Sequence, residues 1–295
     1  MNGNVLTVPS VAEIASRLMP AEVTIQLGAQ RLRRSLREWV GEDRADARRR
    51  RETDSDRRVF VRFAAALLER NVSGGSYMKR LELFQRRLGD PQSPGQQSRR
   101  PPYFEGQLLC ASDLTEEQAY VLLREAGYRF PSNGAKTLVA ICRHLTASDF
   151  CWPGYFAEAE AKWETGFPDD PLFRIKGIGN KVRDFALSEF SDYYCAPDLH
   201  VCRMMARTGL ILQGYGDPDF STVEYGFVRR VVQKLAKQTG FPGGRDPLSP
   251  AHIDRMFWYY GQDTNRCGAD PACDQCPAND VCLTGRTRDR GGSPP

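Results

Sequence analysis

One short stretch constrains this chain more than any other: Phe173-Arg174-Ile175-Lys176-Gly177-Ile178-Gly179-Asn180-Lys181-Val182-Arg183. Two glycines around one apolar residue permit a tight turn and close backbone approach, because neither carries a Cβ. The residues after the turn are expected to open a helix whose first N–H groups lack partners within the helix. Those groups and the positive end of the helix dipole together make an anion site suited to a phosphate. The prediction is therefore two helices joined by Gly-Ile-Gly, a helix-hairpin-helix that grips a nucleic-acid backbone without reading sequence. The same glycines also suit an ordinary corner between helices. Lys181 falls in the first turn of the second helix, where the dipole disfavours an ammonium. A neutral amine there is a nucleophile; a charged one would simply sit on phosphate.

A second segment follows at Ala196-Pro197-Asp198-Leu199-His200-Val201-Cys202-Arg203. Pro197 disfavours helix at the residue before it, and Asp198 is placed to cap a helix beginning at Leu199. A cap holds its carboxylate still, so Asp198 is expected to serve the same pocket as Lys181. His200, one of only three histidines, reads as a packing or hydrogen-bonding residue.

The chain has nine cysteines. Cys267, Cys273, Cys276 and Cys282 crowd together as C-x5-C-x2-C-x5-C, with Pro271 and Pro277 keeping the segment in a loop. Four thiolates in one run hold either Zn²⁺ or a [4Fe–4S] cluster. Structural zinc commonly uses two separated C-x2-C pairs; a single pair flanked by lone cysteines favours the iron–sulfur cluster. Cys110, Cys142, Cys151, Cys195 and Cys202 are scattered and read as small buried apolar residues.

Elsewhere the apolar spacing is helical: about Val11–Met19, about Ala29–Val40, then Phe60, Phe63, Ala64, Leu67 and Leu68, and later Thr115–Ala126, Asn133–Leu145 and Trp152–Thr165. Trp258, Tyr259 and Tyr260 read as core. The charged run from Arg48 to Arg58 reads as a linker or an exposed helix start, and residues 89–106 as a loop. Strand patterns are scarce, so the expected fold class is all-α. Mean hydropathy is −0.51, and no apolar run is long enough to span a membrane. With no secretory signal pattern at the N-terminus, the expected compartment is the cytoplasm. A net charge of +4 is compatible with a nucleic-acid partner and equally with a solvated basic face.

Taken together, Gly177, Gly179 and Lys181, then Asp198 with His200 and Arg203, then the four C-terminal cysteines resemble, in order, the endonuclease III branch of the helix-hairpin-helix DNA glycosylases. The resemblance covers about residues 58–285. Asn71 stands where that family places a polar residue, usually Gln, into the gap left by a lesion, and the loop carrying Tyr128 and Phe130 looks like the one that wedges into the duplex. The first cysteine gap is five residues where the family has six, and Val182-Arg183 stand where it has small residues. The resemblance implies an all-α fold of two helical domains with a DNA groove between them. A six-helix barrel with the hairpin would span residues 52–193; an iron–sulfur domain of 194–295 would be joined by N-terminal helices in 1–51. It implies a monomer acting on double-stranded DNA that holds a damaged or modified base, an oxidised pyrimidine by the family default. Lys181 and Asp198 would be catalytic, with base removal and AP lyase cleavage through a Lys181 Schiff base. Cys267, Cys273, Cys276 and Cys282 would hold [4Fe–4S], and Asn71, Tyr128, Phe130, Lys176, Gly177, Gly179 and Arg183 would contact DNA. The rival readings are a monofunctional glycosylase, for another or a hypermodified base, and a non-catalytic DNA-binding module.

Overall fold

The first helix, α1 (Val11–Leu18), starts where Ser10 accepts the Glu13 backbone N–H at 3.1 Å, a side-chain cap for an otherwise unpaired donor. The structure is a computed structural model that describes residues 9–27, 30–53, 59, 63, 66–67, 114–146, 151–213, 224–262, 265–268 and 270–288. Asn71, Cys110 and the loop at 89–106 lie outside the described residues. The chain divides into two units, one of Met1–Arg48 with Asp192–Pro295 and one of Arg49–Ser191.

In the first unit α1 leads into an antiparallel hairpin, β1 (Glu22–Leu27) and β2 (Gln30–Ser35), in which Ile25 pairs with Leu32. This corrects the all-α expectation and the helix expected from residue 29. Val23 and Ile25 alternate into the core at 1% and 4% exposure, a period of two that a strand satisfies and a helix does not. Arg31 and Arg33 of β2 stay exposed. Helix α2 (Leu36–Thr53) then runs straight through the arginine-rich block, so residues up to Thr53 are helix and not linker. Arg44 is wholly buried against Asp43, 2.5 Å away.

Helices α7 (Leu199–Thr208), α8 (Tyr225–Gln238) and α9 (Pro250–Tyr260) complete this unit before the short α10 (Leu283–Arg288). Helix α9 packs against α1, β1, α7 and α8, and Phe257 and Tyr260 on it are buried with Ile14, Leu18, Met205 and Val232. Tyr259 is buried too, and Trp258 is half-buried, as core residues should be.

The second unit holds α3 (Glu116–Glu125), α4 (Pro131–Thr146), α5 (Trp152–Ala161), a 3₁₀ turn at Pro171–Arg174 and α6 (Asn180–Ser188). Thr115 and Gln118 form a reciprocal capping box that starts α3, and α3 packs on α4. The core is aromatic: Trp152 stacks with Phe156 and meets Phe63, while Phe156 reaches Phe190 and Tyr155 reaches Phe167. Phe63, Ala66 and Leu67 are helical and buried. Of the scattered cysteines, Cys142, Cys195 and Cys202 are buried, whereas Cys151 is exposed at the start of α5. Among the described residues no helix is long and apolar enough to cross a membrane.

Candidate functional site

The hairpin turn is assembled within the second unit. Its first arm is the 3₁₀ turn Pro171–Arg174, shorter than the helix expected there. Asp170 caps it, its Oδ1 accepting the Leu172 N–H at 2.8 Å. Gly177 has φ +101°, and a Cβ there would lie 2.3 Å from Thr137 Oγ1. Only glycine fits both the left-handed backbone and that approach. The Thr137 hydroxyl on α4 donates to the Lys176 carbonyl at 2.9 Å, which ties the turn to the helix behind it. Gly179 differs: it is the extended N-cap of α6, it offers no side-chain cap, and a Cβ there would meet nothing within 4 Å. The first turn of α6 therefore opens onto free space with its backbone donors uncovered. Lys181, the second residue of α6, is exposed beside it, as is Lys176.

Arg183, expected on the DNA backbone, is corrected by its surroundings. It is 0% exposed. Its guanidinium donates to the Gly166 carbonyl at 3.0 Å and to Asp170 at 3.2 Å, pairs with Asp184 at 2.7 Å, and lies 4.7 Å from the Phe173 ring centroid. Arg183 bolts the hairpin to its own unit and presents nothing to a phosphate. Burial pushes the Asp170 carboxyl up, against the opposing pull of the Leu172 N–H, Arg183 and Tyr155.

Beside the turn lies a pocket of about 490 Å³ whose lining includes Leu67, Tyr128, Phe130, Asn133, Lys136, Thr137, Lys176 and Gly177. The two rings differ. Tyr128 is packed in at 7% exposure, and Phe130 is 46% exposed, with the Arg129 guanidinium 5.2 Å from its centroid.

Asp198 belongs to the first unit. It is the N-cap of α7, and its Oδ1 accepts the His200 N–H at 2.8 Å and the Val201 N–H at 3.1 Å. Its Oδ2 takes no hydrogen bond among the described residues. The carboxylate is thus held by one oxygen and partly exposed. His200 Nδ1 and Arg203 both meet the Gly261 carbonyl, at 3.0 and 3.3 Å, and anchor α7 to the end of α9. Asp254, on α9, is buried, and burial pushes its carboxyl up to about 7. Sequence reading missed it, although a lone acid among Ala251, Ile253, Met256 and Phe257 was a signal.

Cys267, Cys273, Cys276 and Cys282 are among the residues that line one small cavity, together with Arg207, Asn279 and Thr284. Arg207 donates to the carbonyls of Cys267 and Gly268 at 3.0 and 2.6 Å, and its guanidinium stands 3.7 Å from Cys267 Sγ. The Tyr260 hydroxyl points at Cys276 Sγ from 3.4 Å. Burial pushes the Cys267 thiol up to about 12 and raises that of Cys282. A thiolate at either position would need a cation beside it, and Arg207 and Tyr260 are the donors nearest the sulfurs. Cysteine is the ligand type that zinc or an iron–sulfur group takes. Among the described residues no three His, Cys, Asp or Glu side chains are grouped closely enough for a single ion.

No family model and no curated protein sequence matches the chain. Solved structures do. An 8-oxoguanine DNA glycosylase of Thermotoga maritima superposes with a TM-score of 0.51 at 20% identity, over 76% of this chain and 88% of that one. The 8-oxoguanine DNA glycosylase of Methanocaldococcus jannaschii gives 0.50 at 16% identity, over 76% and 86%. At these identities the likeness is one of fold: this chain shares the fold of these two 8-oxoguanine DNA glycosylases.

Proposed function

We propose that this protein is a base-excision DNA glycosylase with AP lyase activity, acting on an oxidised base in double-stranded DNA. The observation that carries the reading is the open N-terminus of α6, where Gly179 leaves the backbone donors uncovered and Lys181 stands exposed among them. A backbone phosphate satisfies those donors and brings the amine of Lys181 to the DNA. The fold shared with two 8-oxoguanine glycosylases supports the reading; the resemblance of the motifs to endonuclease III extends the substrate class to oxidised pyrimidines.

A base inside a duplex is out of reach, so the nucleotide is first rotated out, at a cost of a few kcal/mol that is smallest at a damaged pair. Phe130, the exposed ring, is the wedge in this reading, and Asn71 the residue that fills the gap. Lys181 Nζ, as a neutral amine, attacks C1′; the bond from C1′ to the base breaks, the base leaves with the electron pair, and the proton shed by the new C1′–N bond passes to Asp198. Asp198 stabilises the positive charge that develops on the sugar through its free Oδ2. The C1′–O4′ bond then opens, O4′ taking a proton, to leave a Schiff base at C1′; this makes the C2′ proton acidic, and elimination of the 3′ phosphate nicks the strand. Cys267, Cys273, Cys276 and Cys282 hold the [4Fe–4S] cluster, whose part is to tie the C-terminal loop into a fixed shape.

The test is base release and strand nicking on duplexes carrying an oxidised pyrimidine or 8-oxoguanine. Both products are expected from the wild type and neither from Lys181→Ala. Base release without nicking would instead support a monofunctional enzyme that uses Lys181 on phosphate. Tight DNA binding with no release from any substrate, unchanged by Lys181→Ala or Asp198→Asn, would support a binding module.

A further inference from the structure

Two helices of the chain are rich in cations, and their charges are treated differently. In and around α2 the arginines sit on acids: Arg34 on Glu42, Arg44 on Asp43, Arg48 on Asp192 and Arg50 on Glu189. Helix α8 has no such pairing along its length. From Tyr225 to Arg245 the sequence carries Arg229, Arg230, Lys234, Lys237 and Arg245 and no acid. Those five positive charges exceed the net +4 of the whole chain. Val228, Val232, Leu235 and Ala236 are buried on one side of α8, and Arg230, Lys234 and Lys237 are exposed on the other. Arg230 and Lys234 make no ion pair and no side-chain hydrogen bond among the described residues. Lys237 lies in the last turn, where the helix dipole favours a cation. Arg230 and Lys234 lie before that turn and stand four residues apart, where like charges repel and weaken a helix. The stripe thus costs the helix stability, and its first two members gain no partner among the described residues.

We propose that the exposed face of α8 is a second DNA-backbone contact: Arg230, Lys234 and Lys237 bind phosphates of the duplex and read no sequence, in the first unit as the hairpin does in the second. This rests on the reading of duplex DNA as the substrate. Spacings of four and three residues put the three side chains on one helix face, over about 10 Å of its axis. One DNA strand carries a charge every ~3.4 Å of the duplex axis, so the stripe matches a run of about three phosphates. Bound phosphates also relieve the repulsion between Arg230 and Lys234. A lipid surface fits the same face poorly, because a membrane-bound helix sets large apolar side chains between its cations. Here Val228, Val232, Leu235 and Ala236 are in the core, and Phe227 and Val231 pack against it. None of the large hydrophobic residues exposed among the described residues lies on α8.

Two measurements on the full chain test this. The first is lysine acetylation read by mass spectrometry, with and without saturating undamaged duplex. The duplex is expected to protect Lys234 along with Lys181 of the hairpin. Protection of Lys181 with Lys234 as reactive as in free protein would overturn the proposal and leave the functional reading standing. Protection of Lys234 alone would sustain the proposal and sink the hairpin reading, and protection of neither would sink both. The second measurement is the salt dependence of undamaged-duplex affinity. Each lost phosphate contact lowers the slope of log affinity against log salt by about 0.9. Between about 50 and 200 mM salt the double variant Arg230→Gln/Lys234→Gln should therefore lose roughly tenfold less affinity than the wild type. Arg31→Gln/Arg37→Gln removes the same charge from exposed positions of the same unit and should keep the wild-type slope. Equal changes in the two double variants would assign the effect to the overall field of the protein and overturn the contact. The urea midpoint of the α8 variant should match or exceed that of the wild type; a lower midpoint would mean that these side chains serve the fold. An unmoved slope, with weaker binding of the α8 variant to phosphatidylserine vesicles, would assign the stripe to a lipid surface instead.

Discussion

The two glycines of the hairpin separate stability from DNA binding. Gly177 has φ +101°, and a methyl there would sit 2.3 Å from Thr137 Oγ1. In Gly177→Ala the backbone strain costs about 1–3 kcal/mol. Thr137 must also swing away and give up its 2.9 Å bond to the Lys176 carbonyl, which costs about 1 kcal/mol more. The expected loss is about 2–4 kcal/mol of unfolding free energy, read as a lower urea midpoint at unchanged slope. Gly179 is extended, with nothing within 4 Å of an added Cβ. Its replacement by alanine should change stability by no more than about 1 kcal/mol. Its methyl, however, stands where a phosphate would approach the first turn of α6. Losing one charge-assisted hydrogen bond of about 1.5–3 kcal/mol corresponds to roughly ten- to hundredfold weaker duplex binding. Urea titration and fluorescence-anisotropy binding of the two variants decide the matter. A Gly177→Ala protein as stable as wild type, or a Gly179→Ala protein with undiminished affinity, would refute the reasoning.

Other outcomes follow from the same geometry. Arg183→Met leaves Asp170 and Asp184 buried without their cation and should cost about 3–5 kcal/mol of stability, measured by denaturation; a loss of DNA affinity with stability intact would contradict the burial argument. Phe130→Ala removes a ring already 46% exposed, so stability should shift by less than about 0.5 kcal/mol while base release slows, in a single-turnover assay. Asp254 has its carboxyl raised from 3.8 to about 7. A raised carboxyl contributes stability that is complete below pH 3.8 and is lost as pH climbs through about 7. Asp254→Asn should therefore gain stability relative to wild type between pH 5 and 8, by about 3 kcal/mol, in parallel melts; a constant difference across that range would refute it.

Local chemistry was legible from the sequence. The Gly-x-Gly turn, the Asp198 cap and the Thr115 start of α3 are decided by residues within a few positions, and the structure has each of them. What was not legible depended on distant partners. β2 reads as charged because Arg31, Arg33 and Arg34 dominate it; its strand form comes from pairing with β1, whose Val23 and Ile25 reach the core. Arg183 reads as a phosphate ligand until Asp170 and the Gly166 carbonyl, brought up by the turn before the hairpin, enclose it. Tyr128 and Phe130 look equivalent in sequence, and only packing distinguishes the buried ring from the exposed one.

The most direct test of the Lys181 chemistry is borohydride trapping. Cluster-loaded protein is incubated with an abasic-site duplex and borohydride, beside Lys181→Ala. A covalent protein–DNA adduct that forms with the wild type and is absent from the variant is the expected result. Absence of an adduct from well-folded wild type, or an equal adduct from Lys181→Ala, would contradict the Schiff-base mechanism.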